Sequence, residues 1–158
     1  MLKAPLPGEE GSAGLESGVI PLSGPDAISR DLTEAAFLST EIGGKAMPYA
    51  HNSSRHSYRL PKFTFDARDW TAILFFTNEL LDRVSLHLPA SATSWGALNP
   101  KEEEGRTRAL KASVELQLNR PLPADFPWGR LSVYFDPQNF SGSLVFTYAH
   151  AASNPSQS

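Results

Sequence analysis

Three consecutive runs between residues 57 and 88 have strand-like patterns, and they constrain the fold more than any other feature of the chain. Residues 57–65, SYRLPKFTF, alternate, residues 70–78, WTAILFFTN, are apolar on both faces, and residues 80–88, LLDRVSLHL, alternate again. Asn78 and Glu79 separate the last two runs as a hairpin turn. The pattern predicts three antiparallel strands, with the middle strand covered on both sides. Pro61 cannot donate a backbone hydrogen bond, so the first strand is expected at a sheet edge or bulged.

Residues 99–118 have the pattern of a long helix. Asn99 can cap it, Pro100 suits its first position, and three glutamates follow near the positive end of the helix dipole. Leu110, Val114 and Leu118 recur every four residues on one face. A strand is the alternative, because alternate residues from Ala112 to Leu118 are also apolar. The start signals and the length favour the helix.

The remaining segments complete a predicted α+β fold. Residues 129–135 and 143–148 alternate as a second hairpin, residues 26–40 have the spacing of a short helix, and residues 45–52 indicate a short irregular strand. Asp31 and Glu34 resemble a capping box for the short helix. We therefore expect an antiparallel sheet of about five strands, one long helix packed across one face, and a short N-terminal helix.

The segment DFPWGRLSVYF, residues 125–135, admits two interpretations. Trp128 and its neighbours form either an aromatic platform for a ligand or a corner that starts a strand. We favour the corner, because tryptophan contributes burial in most settings and Gly129 permits a sharp turn before the strand.

Composition divides the chain into one domain and two tails. Residues 1–25 are rich in proline, glycine and acids and are expected to be a disordered acidic N-terminal tail. Residues 26–150 are expected to form a single α+β domain, and residues 151–158 a disordered C-terminal tail. Residues 1–44 carry seven acids and two bases, whereas the remainder carries twelve bases and ten acids. The acidic segment can therefore lie against the mildly basic body, or act only as a solubilising tail.

Neither the composition nor the motifs indicate an enzyme. The chain has no cysteine, and we recognise neither a phosphate-binding glycine loop nor a glycine-flanked nucleophilic serine. His51 and His56 lie five residues apart in an expected loop, so no metal site and no cofactor are predicted. No signal peptide or transmembrane stretch is visible, which suggests a soluble protein of undetermined compartment.

The most promising contact surface is the basic and aromatic stretch at residues 45–68. Such a mixture can track single-stranded nucleic acid, but the net charge of −3 disfavours that partner. The leading hypothesis is a small non-enzymatic interaction domain, accessory or inhibitor-like, that contacts a protein partner through this edge and the loops at 89–99 and 136–142. Its candidate binding residues are Arg55, Tyr58, Arg59, Lys62, Trp95 and Phe140.

Two alternatives remain open. One is a small-molecule binder with a pocket between helix and sheet, lined by Trp70, Phe75, Phe76, Trp128 and Tyr134. The other is an enzyme with a loop-built carboxylate or histidine site, which requires a buried, charge-coupled Asp, Glu or His. The sequence does not determine the partner or the oligomeric state.

Overall fold

The protein is mostly β-sheet. The computed structural model describes residues 15–22, 26–65, 68–87, 100–136 and 141–149. A two-stranded sheet pairs β1 (Ile20–Pro21) with β2 (Ala27–Ile28). A seven-stranded antiparallel sheet has the order β3-β4-β5-β6-β9-β8-β7. Its strands are β3 (Met47–Asn52), β4 (Arg55–Phe65), β5 (Arg68–Thr77), β6 (Leu80–His87), β7 (Ala124–Phe126), β8 (Gly129–Asp136) and β9 (Ser141–Tyr148).

The predicted α+β fold with about five strands is therefore wrong. The sheet has seven strands: the short strand predicted at residues 45–52 is β3 at one edge, and β7 at the other edge was not predicted. Every residue of β3 is exposed, and β7 has only three residues. β3 has no buried face and β7 is too short to show an alternation, so the pattern that identified the five inner strands is missing from these two.

Pro61 lies in an inner strand at an irregularity. β4 pairs with β3 on one side and with β5 on the other, and its register with β5 shifts between Leu60 and Phe63. The bulge predicted for Pro61 is confirmed, and the alternative of an edge position for this strand is wrong. A bulge locally interrupts the backbone hydrogen bonds between two strands, so the missing N–H of proline leaves no carbonyl of the neighbouring strand without its donor.

The long helix, Pro100–Leu118, packs against β8 and β9 as an amphipathic helix. Leu110, Val114 and Leu118 are buried, whereas Leu116 is 84% exposed. The strand alternative would have placed Leu116 on the same face as Val114 and Leu118. The helical prediction is thus confirmed, because the buried residues follow the period of 3.6 rather than 2.

The short helix starts later than the sequence suggested. It spans Glu34–Leu38, and its N-cap is Thr33, whose Oγ1 accepts from the Ala36 backbone N–H at 3.2 Å. Asp31 is not the cap. Phe37 is fully buried, with its ring 5.5 Å from that of Tyr58 and 5.6 Å from that of Phe76. The short helix therefore closes the core beside β4 and β5.

Residues 15–22 pack against the domain, although the sequence analysis placed them in the tail. Leu15 and Ile20 are fully buried. The backbone carbonyls of Glu16 and Gly18 accept hydrogen bonds from Trp128 and from Tyr148. Two buried apolar side chains and two hydrogen bonds from the core stabilise this segment, which is more apolar than the rest of the predicted tail. Residues 1–14 and 151–158 lie outside the described part of the chain.

A helix that crosses a membrane must be both long and apolar. Across the parts of the chain that the structure describes, no helix is both long and apolar enough to cross a bilayer.

Candidate functional site

One face of the large sheet has no helix over it among the described elements. In β5, Trp70 and Leu74 point into the core and are fully buried, whereas Ile73 and Phe75 on the opposite face are only half-buried. The long helix, the short helix and residues 15–22 all join the same core cluster as Trp70. The described elements thus cover this strand fully on one side only, whereas the sequence predicted cover on both sides.

We call this second surface the open face. Cross-strand pairing arranges its side chains in rows, so that Arg59 lies opposite Ile73 and Ile73 opposite Ser85. The face bounds an open groove of about 910 Å³. Its lining residues are Tyr49, Arg59, Thr71, Ala72, Ile73, Phe75, Arg83, Ser85, His87, Ser132, Tyr134, Asp136, Ser143, Val145 and Thr147.

Arginine and tyrosine dominate the exposed part of the open face. The Arg83 guanidinium lies 4.2 Å from the centre of the Phe75 ring, and that of Arg59 lies 5.2 Å from the centre of the Tyr49 ring. Tyr49 and Tyr134 are 53% and 58% exposed. Stacked guanidinium groups are held in place with their N–H donors available to a ligand. The face can therefore bind acidic or aromatic groups.

His87 is a half-buried titratable group on the open face, at the end of β6. Burial and, to a smaller extent, the nearby Arg59 charge lower the pKa of His87. Its Nε2 is buried and has no hydrogen-bond partner among the described residues. Protonation would place a charge in this half-buried site beside another cation, so the neutral imidazole is the favoured form.

This shifted pKa predicts a pH-dependent stability. The folded pKa of His87 lies below the value near 6.5 of the unfolded chain, so the unfolded chain binds the proton more tightly. The stabilisation is complete above about pH 6.5 and is lost as the pH falls through the folded pKa. In urea titrations at several pH values, His87→Gln should lose less stability than the wild type between pH 7.5 and pH 5. Equal losses in both proteins would contradict the assignment.

The structure brings only part of the sequence-predicted binding set together. Arg59 lies on the open face, but Tyr58 is buried on the core side. Arg55 is exposed beside the β3–β4 turn. The Nζ atom of Lys62 lies 4.0 Å from Oδ2 of Asp69. Trp95 and Phe140, with most of the two predicted contact loops, lie outside the described residues. Arg83 and Tyr134 were missing from the predicted set, although the polar residues alternating through β6 indicate an uncovered face.

The proposed small-molecule pocket between helix and sheet does not form from the five residues predicted to line it. Trp70, Phe76 and Trp128 belong to the packed core, whereas Phe75 and Tyr134 lie on the open face. The second described cavity, of about 550 Å³, lies between residues 21–22, 41–45 and 61–64. No residue of the long helix lines either of these two cavities.

A second polar cluster lies at the opposite side of β4, where the short helix meets the β3–β4 hairpin. His51 and His56 are directly opposite each other in the two strands, and their rings stack at 4.4 Å. His56 Nδ1 lies 2.8 Å from Glu34 Oε2, and the Tyr58 hydroxyl donates to the same oxygen. The prediction that these histidines lie in a loop is wrong. Two residues five positions apart become cross-strand neighbours when a two-residue hairpin turn lies midway between them. The sequence analysis did not use this spacing of His51 and His56 as a hairpin signal.

The cluster is electrostatically coupled. Burial raises the pKa of Glu34, but hydrogen bonds from Tyr58 and His56 outweigh it, so this pKa lies below its usual value. Burial and the bond to Glu34 raise the pKa of Tyr58 to about 12. Glu34 is therefore an ionised carboxylate with little exposure to solvent. It is a charge-coupled group of the kind that the enzyme hypothesis requires, but on a helix and a hairpin rather than on loops.

Comparison with known proteins does not assign a family. No family model matches the chain, and the search of curated proteins finds no match. A solved structure described as "Rhs1-CT in complex with cognate immunity protein RhsI1" is similar over 82% of this chain and 82% of the matched chain. The identity is 18% and the TM-score 0.49. A likeness at this level is too weak to support a functional assignment.

Proposed function

We propose that this chain is a protein-interaction module that binds an acidic surface of a protein partner through the open face. The observation that carries the proposal is the combination of an uncovered sheet face with exposed tyrosines and ring-stacked arginines. Tyrosine and arginine are enriched at protein interfaces and among the residues that dominate binding energy. In this proposal the chain acts by covering the partner's surface, as an accessory or inhibitor-like protein does.

The charge of the open face favours an acidic partner. Arg59 and Arg83 lie over aromatic rings, and Asp136 is the acid among the lining residues of the groove. The neutral His87 on the same face spares it a further cation that would repel Arg59. A partner carboxylate can accept paired hydrogen bonds from a guanidinium, which is stronger and more directional than contact with lysine.

The size of the face sets a limit on the complex. Six strands line it about 4.8 Å apart, and five of them have 8–11 residues and are about 26–36 Å long, so the face presents roughly 700–800 Å² of backbone area. A standard specific interface buries about 800 Å² on each partner. The open face is therefore about as large as one side of a standard interface, and contacts at its rim would extend the buried area. The loops at 89–99 and 136–142, predicted as contacts, are candidates for that rim.

The test is affinity capture from an extract of the source organism, with identification of the bound proteins. The double charge reversal Arg59→Glu/Arg83→Glu should abolish capture of an acidic protein that the wild type retains at low salt. For the purified partner we expect at least about a 30-fold loss of affinity, since removing one side of a buried charge pair costs roughly 2 kcal/mol or more. Tyr134→Ala should weaken the same complex.

A matched control reverses the charge of two basic side chains on the long helix, away from the open face. Arg108 and Lys111 are exposed on the long helix, where they face Glu104 and Glu115. Arg108→Glu/Lys111→Glu changes the net charge by the same amount but leaves the open face intact. Circular dichroism verifies that both variants fold. The proposal would be overturned if both double variants lost affinity for the partner equally, or if neither variant lost affinity.

A further inference from the structure

We propose that Glu34, His51 and His56 bind a zinc ion at the junction of the short helix and the β3–β4 hairpin. The site is independent of the open face and lies on the other side of β4. One nitrogen of each histidine and one carboxylate oxygen of Glu34 lie within 4.8 Å of one another. Two imidazoles and a carboxylate are ligands that zinc prefers, and three protein ligands leave a fourth position for water.

The backbone fixes the two histidines relative to each other. His51 and His56 are a cross-strand pair next to the two-residue turn, so their side chains leave the hairpin side by side. Their rings are stacked nearly parallel, with an angle of 12° between the planes, so one ring has to rotate before both can direct a nitrogen at the same ion. A ligand pair on adjacent strands of one hairpin needs no rearrangement of the fold to converge on an ion.

Glu34 is held in place from three directions. Its backbone N–H donates to the Glu79 carbonyl at 2.9 Å, which ties the start of the short helix to the β5–β6 turn. Its carboxylate accepts from the Tyr58 hydroxyl and from His56. Hydrogen bonding of a ligating carboxylate by a neighbouring group is the usual support of a metal site. The third ligand is thus oriented before an ion arrives.

Zinc binding requires the ligand atoms to move closer and the His51 ring to rotate. Ligand atoms at about 2.0–2.2 Å from a tetrahedral zinc ion lie roughly 3.3–3.6 Å apart. His56 and Glu34 are already closer than that, at 2.8 Å, and His51 is exposed and can rotate toward them. Because His51 faces solvent, the ion can enter directly and its fourth position is open to water.

The experiment measures zinc binding to the full chain after treatment with a chelator and its removal. Native mass spectrometry and calorimetry with zinc chloride should show one bound ion per chain. His51→Ala is the main variant, because this exposed side chain can be removed without disturbing the core. We expect its affinity to fall by at least about tenfold, since even the loss of a supporting group around a metal site costs 10–100-fold. His56→Ala and Glu34→Gln should have similar effects.

The matched control is His87→Ala, which removes a histidine from the open face. It should bind zinc as the wild type does. Substitution of cobalt for zinc should give an absorption spectrum typical of tetrahedral nitrogen and oxygen ligands, and His51→Ala should change that spectrum. The proposal is overturned if the wild type binds no zinc, if His51→Ala binds it as tightly as the wild type, or if His87→Ala weakens it equally.

Discussion

Trp128→Ala should lower the free energy of unfolding by about 3–5 kcal/mol, the range observed when a large buried aromatic side chain is removed. Trp128 is 7% exposed, and its ring packs against those of Phe126 and Phe146 at 5.4 and 5.5 Å. Its indole N–H donates to the Glu16 carbonyl at 2.6 Å. The substitution therefore loses packing and also releases residues 15–20 from the core. For a domain of this size the melting temperature should fall by roughly 6–20 °C.

Trp128→Phe separates the two contributions. It keeps an aromatic ring but removes the donor to Glu16, so we expect a smaller loss of about 1–3 kcal/mol. Thermal and urea unfolding of both variants provide the measurement. A Trp128→Ala protein as stable as the wild type would refute the corner interpretation and favour a role in ligand binding.

Gly129→Ala should destabilise the protein by roughly 2–6 kcal/mol, the sum of backbone strain and overpacking. Gly129 has φ +149°, which side chains rarely adopt, and a Cβ there would lie 1.9 Å from the Thr147 carbonyl oxygen. β8 and β9 would have to separate, because they pair directly at this point. Gly129 is the first residue of β8 and directly follows Trp128, so the chain corner at residues 128–129 depends on both residues.

Gly105→Ala is the matched control for this substitution. Gly105 lies inside the long helix, and beyond the helix's own nearby backbone no atom of the described residues lies within 4 Å of the position a Cβ would take. We expect Gly105→Ala to raise the free energy of unfolding by about 0.5–1 kcal/mol, because alanine has the higher helix propensity. Chemical denaturation of the two variants should therefore give shifts of opposite sign. Shifts of the same sign would contradict the geometry around Gly129.

The sequence predicts those elements whose side-chain pattern can be recognised within a short stretch of neighbouring residues. The run at 70–78, the hairpin at Asn78 and Glu79, and the helix with Leu110, Val114 and Leu118 all follow from side-chain period and turn residues. The edge strand β3 lacks that pattern because all of its residues are exposed. The packing of residues 15–22 depends on Trp128 and Tyr148, more than 100 residues away in sequence.

The candidate sites were harder to predict than the fold. The sequence analysis identified Arg59 in a basic stretch but grouped it with Tyr58, and alternation in β4 sends these neighbours to opposite faces. Arg83 and Tyr134 join Arg59 only because β6, β9 and β8 follow β5 in the sheet. Arg68, from the same basic stretch, instead donates to Ser113 on the long helix at 2.6 Å.

The sequence by itself determined the five inner strands of the large sheet, the long helix and which side of that helix is buried. Those properties depend on residues within one or two turns of each other, so side-chain period and capping residues are sufficient. Only the tertiary structure decided which face of the sheet is left open and that Glu34 meets His51 and His56. Strand order and the position of the short helix bring these residues together, and both depend on contacts between segments distant in sequence.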